Sequence, residues 1–151
     1  MKTMKKLLSI LLSIICFMFS ICFAGCVGNK QATAQDFSLS IELSTDKLLA
    51  NEELIISAEF VNKTNNSFQV TASTKADESL IKIIYYKKGD VPDVTDITLA
   101  KEIVLKRKMV INKSVTLTNL EQGEYEVYAL VHFSQNGSIS VYSPICNFEV
   151  F

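Results

Sequence analysis

Three kinds of patterning follow one another along the chain. From Leu7 to Phe23 no position is charged, and Leu, Ile, Phe and Met fill most of it, as in a segment that enters a bilayer. From Val27 to Asp36 small and polar residues follow with no period, as in a flexible tether. From Phe37 the period becomes two. Phe37, Leu39, Ile41 and Leu43 alternate with Ser38, Ser40, Glu42 and Ser44. The same rhythm runs through Leu54 to Phe60, Phe68 to Ala72, Ile81 to Tyr85, Ile97 to Leu105, Val115 to Leu117 and Tyr125 to Phe133. Turn formers separate the runs: Thr45-Asp46, Asn62 to Asn66, Lys88-Gly89-Asp90, Pro92-Asp93 and Asn136-Gly137. Seven to eight short strands spaced in this way predict an all-β antiparallel sandwich. The stretch from Ala76 to Met109 is the least regular and leaves room for a short helix or an irregular segment.

The C-terminal strands permit a register prediction. Asn136-Gly137 suits a two-residue type I′ turn, because both residues tolerate positive φ. Gln135 then faces Ser138, Val131 faces Tyr142, Val127 faces Cys146 and Tyr125 faces Phe148, with no break at Pro144. On the opposite face Tyr128 meets Ile145, Leu130 meets Ser143 and His132 meets Val141. That face is more apolar than a solvated one needs to be, which leaves two explanations: cover by a neighbouring segment, or a contact surface made of Tyr128, Leu130, His132, Val141 and Ile145.

The leader changes how composition and charge are read. It inflates the 48 % hydrophobic content and holds three of the 15 basic residues, Lys2, Lys5 and Lys6; the rest of the chain carries 12 basic against 16 acidic residues, a net charge of −4. An acidic domain lacks the surplus of cations that a phosphate backbone requires, so nucleic acid is not an expected partner. The one dense basic run, Lys106-Arg107-Lys108, reads as a solvated edge or turn. Of four cysteines, Cys16, Cys22 and Cys26 lie at or before the end of the leader, leaving Cys146 without an internal disulfide partner. Packing alone must therefore hold the domain.

Two resemblances add to this. Phe23-Ala24-Gly25-Cys26, after a basic start and an apolar run, resembles the lipobox of bacterial lipoprotein precursors. The resemblance implies cleavage before Cys26 and a lipid on its thiol, giving a signal peptide over 1–25, a lipidated tether over 26–36 and a domain over 37–151. The alternative is an uncleaved membrane helix; with either, the domain sits at the outer surface of a membrane. Glu121-Gln122-Gly123-Glu124-Tyr125-Glu126-Val127 resembles the start of strand F in immunoglobulin-like domains. There a tyrosine near the strand start bonds back to upstream backbone, a part that falls to Tyr125 after Gly123. Val127 stands where antibody domains have cysteine, and the chain has no Trp. The resemblance is therefore to the disulfide-free immunoglobulin-like or fibronectin type III-like modules.

Candidate chemistry is sparse. His132 is the only histidine, falls mid-strand on the outward face, and has no Gly-x-Ser-x-Gly elbow to partner it. Cys146, opposite Val127, is expected in the core as a small apolar residue. Asp90, Asp93 and Asp96 alternate in one loop but lack the glycine and terminal glutamate of an EF-hand. Neither a cofactor nor a metal is expected. The expectation is a non-enzymatic module tethered to the membrane by Cys26 and acting by protein or glycan contact; the alternative is an accessory or inhibitory subunit working through strand addition.

Overall fold

Period two in sequence becomes period two in burial. In β1 (Phe37–Leu43) and β3 (Leu54–Asn62) every second side chain is buried and its neighbours face solvent. The structure is a computed structural model and describes residues 30–74, 79–92 and 99–151; Cys26 and the leader lie outside them. The other strands are β2 (Lys47–Leu48), β4 (Phe68–Thr74), β5 (Ile81–Lys87), β6 (Leu99–Leu105), β7 (Val110–Leu117), β8 (Gly123–Ser134), β9 (Ser138–Tyr142) and β10 (Cys146–Val150). A single 3₁₀ turn, Ala34–Asp36, precedes them.

The strands form two sheets. One has the order β1-β3-β7, antiparallel throughout. The other is built on β8, which pairs with β10 and β9 along one side and with β5 and the end of β4 along the other; β6 extends β4. β2 joins β10 in parallel, through Lys47 with Glu149 and Leu48 with Val150. The molecule is an immunoglobulin-like β-sandwich, all-β among the described residues apart from the 3₁₀ turn. Among the described residues ten strands replace the expected seven to eight. β2 is too short to show a period, and the last strand is broken in two.

The core lies between the inward faces of β1, β3 and β8. Phe37 is its hub at one pole, with ring centroids 5.3 Å from Phe60, 5.6 Å from Phe68 and 5.2 Å from Phe133, so one side chain ties both sheets. Tyr125 stacks on Phe148 at 5.0 Å near the other pole. The Tyr125 hydroxyl donates to the Glu121 carbonyl oxygen at 2.9 Å, closing a tyrosine corner; Gly123 lies inside this corner at φ +146, a value that favours glycine. Among the described residues the buried core runs from Ala32 to Val150.

The C-terminal hairpin departs from its predicted register. Ser134 faces Ser138, Val131 faces Val141 and Leu130 faces Tyr142, one residue away from the expected pairing. The loop has three residues, with Asn136 at φ 53 and Gly137 at φ 154. Gln135 is drawn out of the ladder because its side-chain oxygen accepts the Ala32 N–H at 2.7 Å. Beyond Pro144 the predicted pairing does hold: Val127 faces Cys146 and Tyr125 faces Phe148. The one-residue slip therefore occurs across Ser143-Pro144-Ile145. Proline has no N–H to give the ladder, and the Ser143 hydroxyl takes over by accepting the Ala129 N–H at 2.8 Å. In the uncertain stretch from 76 to 109, β5 and β6 are strands, while residues 75–78 and 93–98 lie outside the described residues.

Candidate functional site

The register sets which side chains share the outer face of the larger sheet. Across β5, β8 and β9, Tyr86 faces Glu126, Ile84 faces Tyr128, Leu130 faces Tyr142 and His132 faces Ser140. Tyr86, Tyr128 and Tyr142 thus form a row over three strands, with centroids 6.3 Å apart at each step and rings inclined by 77° and 43°. Tyr142 is 61 % exposed, whereas Tyr128, Leu130 and His132 are half-buried. The Tyr86 hydroxyl donates to Glu126 at 2.6 Å, and this bond above all pushes its pKa up. For Tyr128 burial is the main cause of an upward shift, with Tyr142 adding to it. Both hydroxyls remain neutral donors at physiological pH.

Two residues of the expected contact set are placed differently. Val141 is 7 % exposed and points inward opposite Val131, because the slip at Pro144 reverses the facing of β9. Tyr142 stands outward in its stead, and only knowledge of the slip could have found it. Ile145 is 57 % exposed within the irregular segment. Cys146, expected in the core, is a free, half-buried thiol that packs against the core from the β10 edge.

His132 Nδ1 lies 2.9 Å from Ser140 Oγ and Nε2 lies 3.2 Å from Ser138 Oγ. Both ring nitrogens are occupied by hydroxyls, and no carboxylate orients the ring among the described residues. A serine activated by an oriented imidazole needs that third group. Among the described residues no group of His, Cys, Asp and Glu could hold a metal ion. Asp93 and Asp96 lie outside them, so the acidic loop is represented by Asp90 alone. Gly123, Asn136 and Gly137 serve the backbone as described above.

A second surface feature, which the sequence reading did not single out, is a shallow depression of about 390 Å³ on the outer face of the three-stranded sheet. Ser40, Glu42, Ser57, Glu59, Asn112 and Ser114 line it. Lys113, on the same strand as Asn112 and Ser114, pairs with inward-facing Ala58 and donates across the mouth of the sandwich to the Ile81 carbonyl at 3.0 Å.

No protein-family model matches this chain, and no curated protein sequence does. Solved structures do. A β-glucosidase from Erythrobacter marinus aligns with TM-score 0.46 and 11 % identity over 76 % of this chain and 15 % of its own. Spo0M, a sporulation control protein from Bacillus subtilis, gives 0.46 and 11 % over 76 % and 49 %. A CARDB domain from Pyrococcus furiosus gives 0.41 and 15 % over 76 % and 94 %. The chain spans less than half of the first two. Similarity at this level assigns no activity to it.

Proposed function

We propose that the chain is a lipid-anchored, non-enzymatic binding module on the extracytoplasmic face of the cell membrane, which grips a protein or glycan through the Tyr86-Tyr128-Tyr142 face. The lipobox-like Phe23-Ala24-Gly25-Cys26 supports the anchor, with Cys26 as the lipid-bearing residue. The observation that carries the binding role is the tyrosine row itself. Tyrosine supplies large contact area with few rotatable bonds and a donor at its tip, which is why it concentrates in binding hot spots. Glu126 borders the row, with one carboxylate oxygen on the Tyr86 hydroxyl and the other able to accept from a partner's hydroxyls or amides.

The test is capture of envelope proteins and glycans by the unlipidated chain from Val27 onward, compared with Tyr128→Ala and Tyr142→Ala. The proposal expects at least a tenfold loss of capture for either variant, about 1.4 kcal/mol, with an unchanged fold. Capture unaffected by both substitutions removes the face from the mechanism.

A second reading, an accessory subunit acting by strand addition, draws on the edge of β1. Among the described residues Phe37–Leu43 pairs only with β3; it contains no proline and turns no charge inward, in contrast to β7 with its inward Lys113. Ser44 N–H bonds the Ile55 carbonyl, so by alternation the Leu43 N–H turns away from β3, and proline at Leu43 would block such pairing and leave capture by the tyrosine face intact.

A further inference from the structure

The N-terminal segment is fastened to one pole of the sandwich. Ala32 is buried and its N–H bonds Gln135; Lys30 pairs with Asp36 at 2.8 Å; the Asp36 carbonyl accepts the Lys63 N–H at 2.9 Å. The loops at that pole are the 62–67 and 106–109 connections and the Gln135-Asn136-Gly137 turn. They are knitted into one surface by Asn62, fully buried, whose side-chain amide donates to the carbonyls of Asn66, Leu105 and Lys106. Further ties are Arg107 N–H to Ser67 Oγ at 3.1 Å and Lys108 N–H to the Thr64 carbonyl at 3.2 Å.

This pole is basic although the domain is acidic. Lys30, Lys63, Lys106, Arg107 and Lys108 are all exposed on it. Among the described residues the only carboxylate there is Asp36, already paired with Lys30, and no carboxylate pairs with Lys63, Lys106 or Arg107. The opposite pole has the other sign. Asp46, Glu52, Glu53, Asp90 and Glu121 lie in or beside its loops, and its Lys87 and Lys88 are paired with Glu121 and Glu124. The described residues form a charge dipole along the strands.

Cys26 lies four residues before Lys30, a leash of at most about 14 Å, whereas the twelve residues of β8 span roughly 40 Å. A lipid on Cys26 therefore holds the basic pole, and not the acidic one, against the bilayer. We infer that this pole, centred on Lys106-Arg107-Lys108 with Lys63, is a docking surface for anionic lipid headgroups, which sets the domain upright with its acidic pole away from the membrane. The inference rests on the lipid-anchor reading for its geometry, but the surface can be tested without the lipid. Charge complementarity selects the partner, because cations held within a Debye length of an anionic leaflet each strengthen adsorption about fivefold.

The test uses the unlipidated chain from Val27 onward and sedimentation with vesicles. One set is phosphatidylcholine alone and the other carries about one-third phosphatidylglycerol. The expected result is adsorption to the anionic vesicles only, reversed by salt. Replacing Lys106 and Arg107 by Gln and Lys108 by Asn, which tolerates the φ of 53 found there, is expected to weaken adsorption about a hundredfold. Replacing Lys87 and Lys88 by Gln at the other pole is expected to change nothing. Because the three substituted residues are exposed, circular dichroism should show both variants folded.

Equal binding to the two vesicle types overturns the inference, as does adsorption that survives the triple substitution. So does tight, vesicle-independent binding to a soluble anionic polymer. A chain that adsorbs in this way but takes up no fatty acid at Cys26 would keep the surface and lose the anchor, so the two failures are distinguishable.

Discussion

Asn62 offers the strictest check on how the fold holds its loops. It ends β3 with no exposed surface, and its side chain takes part in five hydrogen bonds: three to carbonyls at 2.9, 3.3 and 2.9 Å, and two accepted from the amide and hydroxyl of Thr64 at 3.0 and 2.9 Å. Asn62→Leu keeps the branched shape and the number of heavy atoms and removes all five. The Leu105 carbonyl stays buried and loses a donor, while the groups nearer the surface recover water. Leaving one buried group unsatisfied costs about 1–3 kcal/mol and each partly exposed bond less, so the sum is roughly 3 kcal/mol. For a body of roughly 120 residues that lowers Tm by about 12 °C. Scanning calorimetry reads it directly. Ser67→Ala, which removes one exposed bond to the same loop, should stay within about 0.5 kcal/mol of the parent. An Asn62→Leu loss below about 1 kcal/mol would falsify the claim that this side chain organises the pole. Asn62→Asp adds a pH test. A carboxylate facing three carbonyl oxygens has its pKa raised in the fold, so the penalty is absent below the unfolded value near 4 and grows as pH rises above it.

Four further outcomes are expected. Tyr125→Phe removes the bond to the Glu121 carbonyl and should cost about 1 kcal/mol in denaturant unfolding, without altering the stacking on Phe148. Gly137→Ala, at φ 154, should destabilise by about 1–2 kcal/mol in the same assay, although a Cβ there meets no atom, because backbone strain is the cause. Lys113→Val takes the inward charge off the β7 edge and should produce concentration-dependent self-association by analytical ultracentrifugation, where the parent stays unchanged. Asp36 is held below the ordinary carboxylate range chiefly by its bond to Lys30. Its contribution is present above pH 4 and lost as pH falls through the depressed folded pKa, so amide exchange near Ala32 should quicken on acidification and be fast at all pH in Asp36→Asn.

Much of this architecture could be read from residue patterning, and the exceptions have physical causes. β1, β3 and β8 bury one face against the opposite sheet, so their alternation is strict and their positions legible. The tyrosine corner was legible because its parts are local: Glu121, Gly123 and Tyr125 lie within five positions. β2 was not, since two residues carry no period and its pairing with β10 bridges about a hundred positions. The hairpin misled because Asn-Gly predicts a turn from its own φ preferences, while the register is also decided by Gln135, which is claimed by Ala32 from the far end of the chain. Pro144 then restores the phase, so the error spans 128–145 and nothing beyond. That short slip exchanges Val141 for Tyr142 on the outer face and so completes a tyrosine row that no local pattern contained. The basic pole was hidden for a related reason: Lys63 and Lys106-Arg107-Lys108 are neighbours only because β3, β6 and β7 begin or end at one level.

The claim on which the cellular role depends is that the mature protein begins at Cys26 bearing lipid. Intact-mass spectrometry of the protein purified from membranes of its own or a related bacterial host reads this in one step. The account predicts a species lacking residues 1–25 and heavier than the remaining polypeptide by a diacylglyceryl group, with the increment absent from Cys26→Ser. A mass equal to the full unmodified chain, with Met1 or its successor still at the N-terminus, would contradict it.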